Sequence, residues 1–413
     1  MPELALFLVV LSSTNKYKIY IRMNIRHLLI IVGLFGAIAA NAQQKMLLTD
    51  PQVKIDATNA VNALYNFKFE KADRDFRWLK FKYPEHPMPY FLLGLAEWWK
   101  IMPNPNDETH DDAFFAYMDT TISKAEVMLD QSKTNKNVEA CFFLSAAHGF
   151  KGRLHSERHN WSRATNAGRN ALNYLQKNRE DSAATFGSEF LFGDALFNYY
   201  AVWIHDNYRW LRPVLSFFPN GNKELGIKQL ETVSRNAFYT RVEAQYYLAR
   251  IYYNDENQPE KALPILEYLA ATFPDNAYFQ RLYARITYSQ GHIDKCEKTS
   301  LDILDKIQKK MPGYESTSGR YASFFLGYIF KYRYRNAAKS KEYFQMAINF
   351  AKDTKSTETG YYLYALQYLA QAAEEEKNYS LARDYYETIK DDADSDHECY
   401  KFAKKKIKEL KRK

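Results

Sequence analysis

Apolar positions recur every three to four residues through most of this chain, and small polar clusters interrupt them at short intervals. That period lays one apolar stripe along a helix rather than along a strand. The clearest stretch is Glu243 to Asn276, EAQYYLARIYYNDENQPEKALPILEYLAATFPDN. It reads as a helix, a short polar turn, a second helix and a proline stop. Tyr246, Tyr253, Ala262, Leu266 and Pro274 take the large, small and breaking positions of a unit about 34 residues long.

The same frame recurs on both sides of this stretch. From Val53 it sets Ala72 at the small helix-crossing position, Phe76 four later and Pro84 at the stop. Leu93-Gly94, Phe192-Gly193 and Leu326-Gly327 repeat one pair. Glycine inside a helix costs about 0.5–1 kcal/mol relative to alanine, so its recurrence implies close approach of a partner helix. Further along, Gly291 falls at a turn and Cys296 at a crossing; Ser340, Phe344 and Ala347 follow, then Leu369, Ala370, Ala382, Tyr386 and Ile389. Ala403, Ile407 and Leu410 form a last stripe among lysines, as expected of a polar helix closing an array. Two stretches depart from the frame. Between Lys136 and Asn178 the helices are expected to be separated by a basic loop, Lys151 to Asn160, before a helix carrying Trp161, Ala164, Gly168 and Ala171. At 204–222 an insertion, IHDNYRWLRPVLSFFPNGN, carries Trp210, Phe217 and Phe218.

This layout resembles the tetratricopeptide repeat (TPR). The resemblance implies an all-α fold, an α-α superhelix of antiparallel helix pairs. A further likeness, around Asn160–Ala164 and the helix near Gly226, is to the inclusion-body clearance family of TPR-like proteins; it spans roughly residues 160–280 and implies the same superhelix with no established chemistry. The chain divides into an upstream extension with a signal peptide (1–42), divergent helix pairs (43–238), a regular array (239–396) and a basic capping helix (397–413). In TPR proteins fixed places of each first helix line an inner groove. Carried onto this chain, those places give Phe91, Trp98, Tyr247, Tyr278, Arg281, Arg285, Tyr288, Tyr321, Phe324 and Tyr328. The set lacks the basic, asparagine-rich pattern of carboxylate-clamping TPRs. It is rich in tyrosine and arginine, which combine apolar area with hydrogen-bond donors at recognition surfaces.

Composition sharpens this picture. Tyr (33) and Phe (27) are abundant while Gly (15) and Pro (13) are sparse, which favours a helical array over a turn-rich β fold. The formal charge of +8 sits at the ends: residues 1–42 carry a net +3 and residues 401–413 a net +7, leaving the body at −2. A nucleic-acid binder carries its positive charge on the folded surface, so nucleic acid is not an expected partner. Cys141, Cys296 and Cys399 lack metal-ligand spacing and fall in separate repeats, which suits small buried apolar side chains rather than disulfides.

Met23 opens a second start, MNIRHLLIIVGLFGAIAANAQQ. Arg26, an apolar core from Leu28 to Ala40 and the A-x-A site Ala40-Asn41-Ala42 have the layout of a secretory signal peptide, too short to span a bilayer. The mature chain is expected to begin at Gln43 and to be exported to the periplasm, not integral to the membrane, with contact to its surface left open. His148, His155 and His159 lie among basic residues and read as solvated loop histidines rather than zinc ligands; no metal or cofactor is expected. His205-Asp206 lacks the partners of a catalytic triad. The expected function is therefore a non-catalytic exported scaffold for a protein or peptide. The second expectation is a glycan or small-ligand binder with an aromatic groove.

Overall fold

The structure is a computed structural model that describes residues 46–132, 137–177, 187–212, 218–357 and 360–411. The expected signal peptide and Phe217 lie outside the described residues. The helices belong to one compact unit, Leu47–Lys413. In chain order they are α1 (Pro51–Tyr65), α2 (Phe69–Lys82), α3 (Pro87–Ile101), α4 (Asp111–Asp130), α5 (Val138–Glu157) and α6 (Trp161–Lys177). Next come α7 (Ser188–Asn207), α8 (Lys223–Asn236), α9 (Arg241–Arg250), α10 (Pro259–Thr272), α11 (Ala277–Ser289) and α12 (Ile293–Gln308). The chain ends with α13 (Ser316–Tyr332), α14 (Ala337–Asp353), α15 (Gly360–Glu375), α16 (Tyr379–Asp392) and α17 (Glu398–Leu410). Each odd-numbered helix up to α15 packs against the even-numbered helix that follows it, and α17 covers the last pair. The fold is an all-α array of antiparallel helix pairs, as the frame implied.

Local chemistry sets the ends of these helices. Asn222, Asn276, Asn336 and Asn378 each accept, through the side-chain oxygen, the backbone N–H three residues on, at 2.8, 3.0, 3.0 and 3.2 Å. That satisfies one of the donors a helix start leaves open. At two of these starts the residue before the asparagine is left-handed, Arg335 (φ 52°) and Lys377 (φ 62°). The Lys377 N–H donates to the Glu374 carbonyl and the Asn378 N–H to the Ala373 carbonyl, closing the first helix of the pair. One helix stops and the next starts within three residues.

The small positions lie where helices cross. Ala72, Ala262 and Ala382 are completely buried, as is Cys296. A Cβ added at Gly327 would stand 2.7 Å from the Phe344 ring, and one at Gly94 2.7 Å from Met118. Ser340, opposite Gly327, donates its hydroxyl to the Gly327 carbonyl at 2.9 Å. All three cysteines are buried.

In most of the array the second helix of one pair packs on the first helix of the next. Many first helices also touch: α1 touches α3, α3 touches α5, α5 touches α7, and from α11 to α17 they form a continuous packed row. Two expectations change. The basic stretch from Lys151 is helical as far as Glu157, so the turn between α5 and α6 is only Arg158–Asn160. Residues 204–207 likewise belong to α7, and the insertion proper starts at Tyr208.

Candidate functional site

The ten residues placed on the inner face by the family spacing separate into two groups. Arg285 and Tyr288 on α11, and Tyr321 and Tyr328 on α13, stay partly exposed. Tyr361 and Tyr368 on α15, which the spacing did not select, extend the same surface. Rings touch from helix to helix. Tyr288 stacks on Phe325 at 4.5 Å and meets Tyr328 edge-on at 5.3 Å; Tyr321 meets Tyr361 at 4.9 Å; Tyr368 stacks on Phe344 at 4.8 Å. Cations border the strip. Arg285 lies 5.0 Å over the Tyr253 ring, and the Lys331 ammonium is 5.8 Å from the Tyr368 ring. Burial pushes the phenols of Tyr288, Tyr361 and Tyr368 above their ordinary range, so these three keep neutral hydroxyls at physiological pH. Tyr332 (52% exposed) forms its outer edge, 4.6 Å from Tyr328.

The other group is corrected by the structure. Trp98, Tyr247, Tyr278, Arg281 and Phe324 are buried and offer no surface to a partner. Phe324 lies beneath the strip against Tyr361 at 4.8 Å. Phe91 is half-buried between Phe143 and Phe150, each at 5.8 Å, on the face toward α5. Trp98 is covered by Phe114, Phe150 and Arg153 of α4 and α5, and Tyr247 by Arg153 of α5 and by Phe192 and Tyr200 of α7, while Trp99 and Pro103 from the amino-terminal part reach Tyr278 and Arg281 of α11. The contacts of Trp99 with Tyr278 and of Arg153 with Tyr247 join pairs that are not neighbours in the array, which a chain of purely nearest-neighbour repeats would lack.

These long-range contacts are polar at their centre. Glu243 of α9, 4% exposed, accepts the Trp99 indole N–H at 2.9 Å and the Tyr65 hydroxyl at 3.3 Å. Its second oxygen, Oε2, is buried with no hydrogen-bond partner. Burial pushes the Glu243 carboxyl up to about 7, against the opposing pull of Arg153 and of the two hydrogen bonds. Arg153 of α5 donates to the hydroxyls of Tyr247 and, at 3.1 Å, Tyr246, and lies 4.7 Å over the Trp98 ring. Arg281 donates to the Pro103 carbonyl at 2.7 Å and to the Ser318 hydroxyl at 3.2 Å. Asn276, fully buried, also donates through Nδ2 to the Tyr65 carbonyl at 2.7 Å. Each group spans a large sequence separation, and none has a local signal in the sequence.

The insertion folds back on the array. Trp210 (55% exposed) meets Trp161 of α6 edge-on at 5.4 Å, while Tyr208 lies between Trp161 at 5.9 Å and Trp203 at 5.8 Å. Phe218 is half-exposed. Of the histidines, His148 and His155 are carried by α5 rather than by a loop, and His159 occupies the left-handed position of the turn (φ 55°). His205 and Asp206 pair at 3.1 Å on an exposed helix end. Among the described residues no group of three or more side chains is placed to hold a metal ion, and no helix is long and apolar enough to cross a membrane.

The class this architecture defines is a helical-pair repeat protein. No family model matches the chain, and no curated protein matches it. Two solved structures that match are the TPR domain of P58(IPK) and Naa15/Naa10 bound to HypK-THB. The first is 13% identical, with 88% of this chain and 100% of that one covered, at a TM-score of 0.24. The second is 14% identical, with 88% of this chain and 63% of that one covered, at a TM-score of 0.30. Superpositions this loose say nothing about what the chain binds.

Proposed function

We propose that this protein is a non-catalytic, TPR-like scaffold of the cell envelope that binds a protein or peptide through the tyrosine strip of α11, α13 and α15. The observation that supports it most is the continuity of partly exposed rings over three successive first helices, with Arg285 and Lys331 at the borders. Tyrosine and arginine are enriched where binding energy concentrates. A row of rings crossing several helices suits an extended ligand better than a compact one. Export rests on the segment from Met23 to Ala42, whose layout is that of a cleaved leader.

The test uses the chain from Gln43 onward as bait in envelope extract, beside a variant carrying Tyr288→Ala and Tyr328→Ala, with a glycan array in parallel. The proposal expects a protein partner held by the parent chain and lost from the variant, whose helical circular dichroism is unchanged. Retention of the partner by the variant, or binding to glycans alone, overturns it.

A further inference from the structure

A second cleft lies away from the tyrosine strip, between α4, α5 and α6, and encloses about 420 Å³. Helix α5 contributes His148, Lys151 and His155; α6 contributes Arg163, Asn166 and Asn170. Both triplets run at i, i+3 and i+7, which aligns each along one face of its helix. The two antiparallel helices of this pair therefore direct six nitrogen-bearing side chains into one space.

We propose that this cleft binds a tetrahedral oxyanion, a phosphate or sulfate group, either free or as the ester of a larger molecule. Three observations support it. Among the described residues the exposed Arg163 guanidinium has no hydrogen bond or ion pair within the protein, so its donors face solvent at the rim of the cleft. The imidazoles are held in fixed planes, His155 stacked on Phe115 at 4.6 Å and His148 stacked on Tyr174 at 5.9 Å. The local field is positive. Burial, and then Lys151, pushes His148 down to about 4; burial, then Lys151 and Arg163, lowers His155. Neutral imidazoles each keep one N–H to donate, and the cations that depress them exclude a metal ion as occupant.

One acid opposes this. Asp119 of α4 pairs with Lys151, and its side chain is 61% exposed. An incoming oxyanion must share or displace that carboxylate, which has solvent to move into. Binding also couples to protons. A bound dianion favours both imidazolium forms, so its binding raises the proton affinity of the two histidines. The charged groups facing the two histidines are Asp119 from α4, Lys151 from α5 and Arg163 from α6. The volume exceeds what a bare oxyanion fills and lies in the range of roughly 300–1,000 Å³ typical of small-ligand sites.

Two variants move affinity in opposite directions, which separates binding from folding. Titration calorimetry of the full chain with inorganic phosphate, and separately with glucose 6-phosphate, is expected to show saturable binding that Arg163→Glu weakens at least tenfold and Asp119→Asn strengthens several-fold. Equal affinity for the two probes identifies a free-anion site; tighter binding of the sugar ester identifies a site for esterified oxyanions. Absence of saturable binding of either probe at millimolar concentration, or affinities unchanged in both variants, overturns the proposal.

Discussion

At the scale of single residues, the buried carboxyl of Glu243 has the clearest consequence. Its acidity in the fold is weakened, from an ordinary 4.5 to about 7, mainly because burial penalises the charge. A group whose folded pKa is raised contributes stability below its unfolded pKa and loses it as pH climbs through the folded value. The loss therefore falls between about pH 4.5 and 7, and a shift of this size corresponds to roughly 3 kcal/mol. Glu243→Gln keeps an acceptor for Trp99 and Tyr65 but has no charge to bury. Denaturant melts should show the variant and the parent chain equally stable near pH 4.5, with the variant ahead by up to that amount at pH 8. Parallel profiles would show that water or a rearrangement already solvates the ionised group. The family spacing marked Trp98, Tyr247, Tyr278 and Arg281 as groove-lining, and they are buried instead. It had no means of showing that an equally buried Glu243, Tyr65 and Trp99 would meet them.

At the scale of elements, the helix pairs were legible because three independent signals agreed: the apolar stripe, the small residue at each crossing, and the polar turns. Ala382→Leu should overpack the contact of α16 with its pair and cost about 1–3 kcal/mol, read as a lowered denaturation midpoint. Gly327→Leu should cost at least as much, because the added Cβ meets the Phe344 ring inside 3 Å and the Ser340 bond lies beside it. The stretch from Lys151 to Asn160 reads as a loop because it is basic, yet Leu154 is buried two turns after buried Ala147, a helical spacing that carries α5 on to Glu157. The true break is marked only by left-handed His159 and by Asn160, whose side chain accepts the Arg163 N–H at 3.3 Å. Charge composition was a weaker guide there than cap chemistry.

At the scale of the whole molecule, α1 and α3 seated against α9 and α11 make this array less modular than its repeats suggest. Asn276 is the test. Its oxygen caps α11 and its nitrogen ties down the Tyr65 carbonyl. Asn276→Ser should retain the cap while losing the tie; Asn276→Ala should lose both and cost roughly 2–4 kcal/mol from the cap plus an unpaired buried carbonyl. Hydrogen exchange of the α1 amides should rise in both variants. If only the alanine variant loosens, and only at α11, then the crossing is a bystander to stability.

The same seating has a consequence in time. Tyr65 precedes its partner Glu243 by 178 residues and Trp99 precedes it by 144. At about 5–20 residues per second, a growing chain carries the unburied faces of its first helices for roughly 10–35 seconds before the surface that covers them exists. Over that interval the amino-terminal half presents tyrosine, tryptophan and phenylalanine to whatever is near. Its successful folding therefore depends on being kept apart from its own copies until α9 and α11 arrive.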